Sequence, residues 1–124
     1  MARQILSSAV ALLFLMLMPA AWANWNEQAR ITFNEPVQIP GRVLKPGTYI
    51  FKGFDPTGAN RVIQIFQAGE TAPIAAFETL PVYRPIPRTR PVITFEERSA
   101  NRPEAVRELF FRNDNYGHQF IYSR

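Results

Sequence analysis

His118 is the only histidine in the chain and there is no cysteine, so a histidine–cysteine metal centre and a thiolate nucleophile are excluded by composition. A serine triad would have to join that histidine to Ser99 or Ser123, the only serines beyond the first ten residues. Neither lies in a nucleophile-elbow context, and Ser123 shares a predicted strand with His118. His118 itself is expected at a strand start, half exposed after a turn. Carboxylate chemistry is what composition leaves. Glu96 and Glu97 are adjacent, so in a strand they point to opposite faces and do not flank one bond as acid and base. An inward-facing one is expected to pair with Arg98, Arg107 or Arg112 as a buried structural ion pair. Asn113-Asp114-Asn115 offers oxygen ligands of the kind calcium takes, without the acid count and spacing of an EF-hand loop. No catalytic residue, metal or cofactor is expected.

What precedes this domain reads as an address. Arg3 supplies a short positive region, residues 9–18 are apolar, Pro19 interrupts them, and Ala21-Trp22-Ala23 has the small-x-small pattern of a signal peptidase site. Residues 1–23 are therefore expected to be a cleaved signal peptide, with Asn24 the first residue of a single exported β domain, 24–124. The apolar stretch 5–18 is short of the roughly 20 residues that a membrane-spanning helix needs. Without cysteine, neither a lipid-modified cysteine nor a disulfide framework is available, and the domain must be held by its core. Of the ten phenylalanines, four tyrosines and two tryptophans, all but Phe14 and Trp22 fall in this domain and supply much of that core.

The formal net charge is +4, a mild excess in which acids and bases alternate along 96–108. That distribution, together with export, argues against nucleic acid as partner. One stretch is different. Within 80–91, Pro81, Pro85, Pro87 and Pro91 interleave with Arg84, Arg88 and Arg90, and no acid intervenes. Proline cannot donate to a central ladder, so this segment is expected to be an edge or a surface crossover. Its three arginines are the candidate contact surface for an anionic envelope component or a protein partner, presented at low entropic cost because proline is already restricted.

From Arg30 onward, short runs of Val, Ile, Phe, Tyr and Thr alternate with proline and glycine turns, as in an all-β domain. Residues 30–34 form a strand with Ile31 and Phe33 on one face, continued by Val37 and Ile39. Pro40-Gly41 and Pro46-Gly47 carry the type II turn combination, and 42–45 is a short extended piece between them. Strands 48–54, 61–67 and 73–79, joined by Asp55-Pro56-Thr57-Gly58 and Ala68-Gly69-Glu70, form an antiparallel meander. A strand over 92–98 puts Ile93 and Phe95 inward. A helical turn is expected at 103–106, where Val106, Leu109 and Phe110 are at helical spacing, followed by a strand. Asn113 to Gly117 is a turn, and 118–123 is the last strand. Six to eight short strands predict an antiparallel β-sandwich or a small, partly open barrel, with Phe33, Phe51, Ile65, Phe95 and Phe120 in the core.

The segments Thr32-Phe33-Asn34-Glu35-Pro36-Val37-Gln38-Ile39-Pro40-Gly41, Leu44-Lys45-Pro46-Gly47-Thr48-Tyr49-Ile50-Phe51, Val92-Ile93-Thr94-Phe95-Glu96-Glu97-Arg98 and Asp114-Asn115-Tyr116-Gly117 together resemble an uncharacterised family of small exported bacterial β-domain proteins. The resemblance implies the β fold and transfers no catalytic residue. Leu109-Phe110-Phe111-Arg112-Asn113 departs from the Trp-Phe-Tyr-Pro-Gly pattern of that family. The function expected is a non-enzymatic binding or interaction module of the periplasm or the extracellular space. A small-molecule or lipid carrier with an apolar cavity is the alternative, and a carboxylate-dependent hydrolase of envelope polymers a third. Intact mass of the exported protein is expected to match a chain that starts at Asn24; a membrane-bound species retaining residues 1–23 would make the segment an anchor.

Overall fold

The computed structural model describes residues 27–54 and 61–123. The expected leader with its expected cleavage residues Ala21, Ala23 and Asn24, and the expected turn at Asp55-Pro56-Thr57-Gly58, lie outside the described residues. Nine strands are described, above the expected six to eight: β1 (Gln28–Phe33), β2 (Val37–Ile39), β3 (Arg42–Leu44), β4 (Gly47–Phe54), β5 (Val62–Gln67), β6 (Ala75–Tyr83), β7 (Val92–Glu96), β8 (Glu104–Phe110) and β9 (Tyr116–Phe120). They form one open mixed sheet, mostly antiparallel, in the order β1-β4-β5-β6-β9-β8-β2-β3, with β7 paired to β8. The parallel element is β2 against β8, through Val37↔Glu104 and Gln38↔Ala105.

Strands β4, β5 and β6 are the expected meander. The β5–β6 connection turns where Gly69 takes φ 88° and the Glu70 N–H donates to the Gln67 carbonyl at 3.0 Å, a backbone that glycine adopts without steric cost. Gly41 at φ 84° closes the β2–β3 hairpin after Pro40, as a type II turn requires. Gly47 is different: at φ 158° it is nearly extended and opens β4 opposite Phe33, so Pro46-Gly47 is a strand entrance and no type II turn. Val37 and Ile39 do not continue β1, which pairs β4 while β2 pairs β3 and β8.

Strand β6 belongs to both halves of the sheet. Residues 75–78 pair with β5 and 79–83 with β9, so the strand runs four residues into the segment expected to be a crossover. Pro81 is tolerated there for a geometric reason. The Thr79 N–H points toward β5, donating to the Arg61 carbonyl at 2.7 Å, and alternation aims position 81 the same way, past the point where β5 has begun. Among the described residues no ladder bond is lost.

No helical turn forms at 103–106; β8 is extended from Glu104. Its partners in β7 jump from Glu108, opposite Thr94, to Val106, opposite Phe95. Arg107 is thus the extra residue of a β-bulge, and it puts Val106 and Leu109 on the same face at a three-residue spacing that imitates a helix. The same bulge displaces Phe95, which is 37% exposed at the rim and touches the core through Phe33, ring centroids 6.3 Å apart. Phe33, Phe51, Ile65 and Phe120 are buried as expected, in one cluster with Ile39, Leu44, Ile63, Val106 and Leu109. That cluster draws side chains from both halves of the sheet, so the sheet curls around a single interior.

Chemical denaturation tests this assignment. Phe51→Ala is expected to cost about 3 to 5 kcal/mol, and Ile65→Ala about 2 to 5, with Phe95→Ala clearly cheaper. Gly117→Ala is expected to destabilise too, since its Cβ would lie 2.6 Å from the Phe110 ring and 2.8 Å from the Leu109 carbonyl oxygen. A Phe95→Ala loss equal to that of Phe51→Ala would contradict the register.

Candidate functional site

The arm that follows β6 is fastened to the turn between β8 and β9. The Arg84 N–H donates to the Asn115 carbonyl at 2.7 Å and the Asn113 N–H to the Arg88 carbonyl at 2.7 Å. The Asn115 Nδ2 donates to the carbonyls of Arg84 and Pro85 at 3.0 and 3.1 Å. Asn113 makes the turn possible by taking φ 64°, a left-handed conformation that asparagine tolerates better than most residues. The three arginines divide at this point. Arg84 folds back over the Phe110 ring, 4.7 Å from its centroid, whereas Arg88 and Arg90 are exposed.

Behind the turn is a polar cluster that sequence inspection did not assemble. The Thr79 hydroxyl donates to the Arg61 carbonyl at 3.0 Å. Its single proton being used, it accepts from His118 Nδ1–H at 2.8 Å, which leaves Nε2 the bare acceptor. His118 is 2% exposed, not half exposed, because position 118 shares the inward parity of Phe120. Burial, and then the charge of Arg61, lower its pKa to about 3. Arg61 donates from Nη2 to the Gly117 carbonyl at 2.7 Å. Its Nε and the His118 Nε2 are buried without a partner.

Glu27 reaches the same place from the start of β1, its carbonyl accepting the Gly53 N–H at 2.9 Å. Burial, then a hydrogen bond to the adjoining Asp114 carboxyl and the charge of that carboxyl, raise its pKa to about 7, against the opposing pull of Arg61. Glu27, Arg61, Asn113, Asp114 and Asn115 line a notch of about 420 Å³. Tyr83 and Tyr116 stand at its rim, each 58% exposed, with ring centroids 5.2 Å apart. A larger groove of about 650 Å³ runs past Glu96, Arg98, Arg102 and Tyr122. Its best-covered arginine is already engaged by the fold: Arg98 lies over Tyr122 at 5.3 Å and 3.9 Å from Glu96.

The other residues expected to carry chemistry are dispersed. Glu96, Glu97, Arg107 and Arg112 are exposed, so the buried ion pair is replaced by the open Arg98–Glu96 contact. Ser99 and Ser123 are exposed, and neither bonds the buried His118. Among the described residues no three His, Cys, Asp or Glu side chains are placed to hold a metal. No family model, curated protein or solved structure matches the chain.

The two shifted groups set a pH profile. Glu27 titrates near 4.5 unfolded and about 7 folded, so the native state holds the extra proton between them and stability falls as pH rises through that window. His118 takes a proton near 6.5 unfolded but only near 3 folded, so stability also falls as pH drops from 6.5. The melting temperature is expected to peak between these limits, in mildly acidic buffer. Glu27→Gln should remove the alkaline-side decline and keep the acid-side one. A wild-type melting temperature that climbs through pH 7, with Glu27→Gln no different, would mean the carboxyls do not adjoin.

Proposed function

We propose that residues 24–124 are an exported, non-enzymatic β domain that binds an anionic envelope polymer through the face made by the arm and the β8–β9 turn. The observation that carries this reading is the clamp. Four hydrogen bonds between arm and turn hold exposed Arg88 and Arg90 on a fixed frame, so a polyanion meets charges whose backbone is already ordered. The carrier alternative is disfavoured by an interior filled with Phe51, Ile39, Leu44, Ile63, Ile65, Leu109 and Val106, each fully buried. The hydrolase alternative is disfavoured because Glu27 and Asp114 adjoin, whereas carboxyls that flank a glycosidic bond stand roughly 5 to 9.5 Å apart. Between a sandwich and a partly open barrel, the Phe33–Phe95 contact that brings β1 toward β7 favours the barrel.

Binding of the 24–124 protein to polyglutamate and to alginate, with neutral dextran as control, tests the proposal. Arg88→Gln with Arg90→Gln is expected to weaken binding to both polyanions without moving the melting temperature. Arg84→Gln is expected to lower stability by about 0.5 to 1 kcal/mol through the lost stacking on Phe110. Binding should also weaken with salt, since the screening length is about 8 Å at 0.15 M. Polyanion binding that is absent, or that ignores both salt and the double substitution, would sink the proposal.

A further inference from the structure

The geometry points to a saccharide subsite in the notch, with Tyr83 and Tyr116 as its stacking platform and the Glu27–Asp114 pair and Arg61 as its hydrogen-bonding floor. The inference rests on the binding role proposed above and names the chemistry of what is bound. Two tyrosines left 58% exposed side by side present apolar ring faces to water beside a polar concavity. Flat aromatic faces next to convergent polar groups suit a ligand that is apolar on one face and polar at its edges. A sugar ring has that character: its axial C–H bonds form an apolar face, and its hydroxyls both donate and accept.

The floor discriminates among ligand classes. A simple anion would face two carboxyls, and a simple cation would face Arg61; an apolar ligand would strip water from all three. A polyhydroxylated ring can use both signs, donating hydroxyl protons to Glu27 and Asp114 and accepting from Arg61. The groups are also held in place before any ligand arrives. Arg61 is tied to Gly117 at 2.7 Å, and Asn115 is fixed by its Nδ2 on two arm carbonyls. Arg88, whose carbonyl accepts the N–H of the notch residue Asn113, would favour acidic saccharides over neutral ones.

The test uses the 24–124 protein on an array of bacterial and plant glycans, followed by calorimetric titration of the strongest binder. Binding is expected to fall at least tenfold in Tyr83→Ala with Tyr116→Ala, which also loses the cross-strand ring pair and melts lower while remaining folded at the assay temperature, and to be retained in Tyr83→Phe with Tyr116→Phe, whose melting temperature stays near the wild-type value. Failure of every glycan on the array, or equal binding by the alanine pair, overturns the subsite. Polyglutamate separates the two levels: binding to it that persists without glycan binding removes the saccharide inference alone, and loss of both removes the binding role as well.

Discussion

Strand β6 changes partners at Thr79, and the buried hydrogen bonds made there hold the two halves of the sheet to each other. The Arg61 carbonyl receives both the Thr79 N–H and the Thr79 hydroxyl, and that hydroxyl in turn accepts from His118. A valine of the same shape would leave the His118 Nδ1–H unsatisfied in the interior, a loss on the order of 1 to 3 kcal/mol. The exchange also explains nearby features. Pro81 is harmless because it follows the exchange, and Gly117 is required because Phe110 lies against it. Arg84 then covers the outer face of Phe110, so one polar junction propagates into the packing that anchors the arm.

The notch forms where four separate pieces of chain end. β5 begins just after Arg61, β1 begins just after Glu27, β6 runs out at Tyr83, and the β8–β9 turn closes the gap with Asn113, Asp114 and Asn115. Strand ends leave side chains with few cross-strand neighbours, and here those side chains are polar or aromatic and converge. The Glu27–Asp114 contact sets two acids against each other with Arg61 as partial compensation. Such an arrangement is a standing destabilisation above pH 7, kept in a domain that has no disulfide to spare for it.

Local pattern was enough for the meander, because Ile63 and Ile65 alternate, their turns are short, and Gly69 marks its own place. It was enough for Phe33, Phe51 and Phe120. It misled at the bulge, where Val106 and Leu109 share a face three residues apart and so mimic helical periodicity; a single extra residue, Arg107, accounts for both the absent helical turn and the exposed Phe95. His118 is a case where the signal was present, since its parity with Phe120 implied burial, while its place after a turn implied exposure. The notch was not legible at all. Glu27 and Asp114 are brought together by the pairing order of the whole sheet, and no short-range spacing encodes a contact between opposite ends of a chain. The arginines of the arm were visible as a group, but that Arg84 would turn inward depended on an aromatic ring two strands away.

The parallel pairing of β2 with β8 has a consequence for how the chain assembles. The β2–β3 hairpin is short, and its one neighbour in the sheet is β8, whose pairing residues Glu104 and Ala105 come far later in the chain. Made early during synthesis, it lacks its sheet neighbour until most of the protein has emerged. The meander forms from contacts close in sequence, but the hairpin's attachment closes a long loop, the kind of event that slows folding because entropy is lost before contacts compensate. A hairpin made early is therefore among the last elements to settle. Until it does, Val37, Ile39 and Leu44, all buried in the finished domain, remain open to solvent and to other chains.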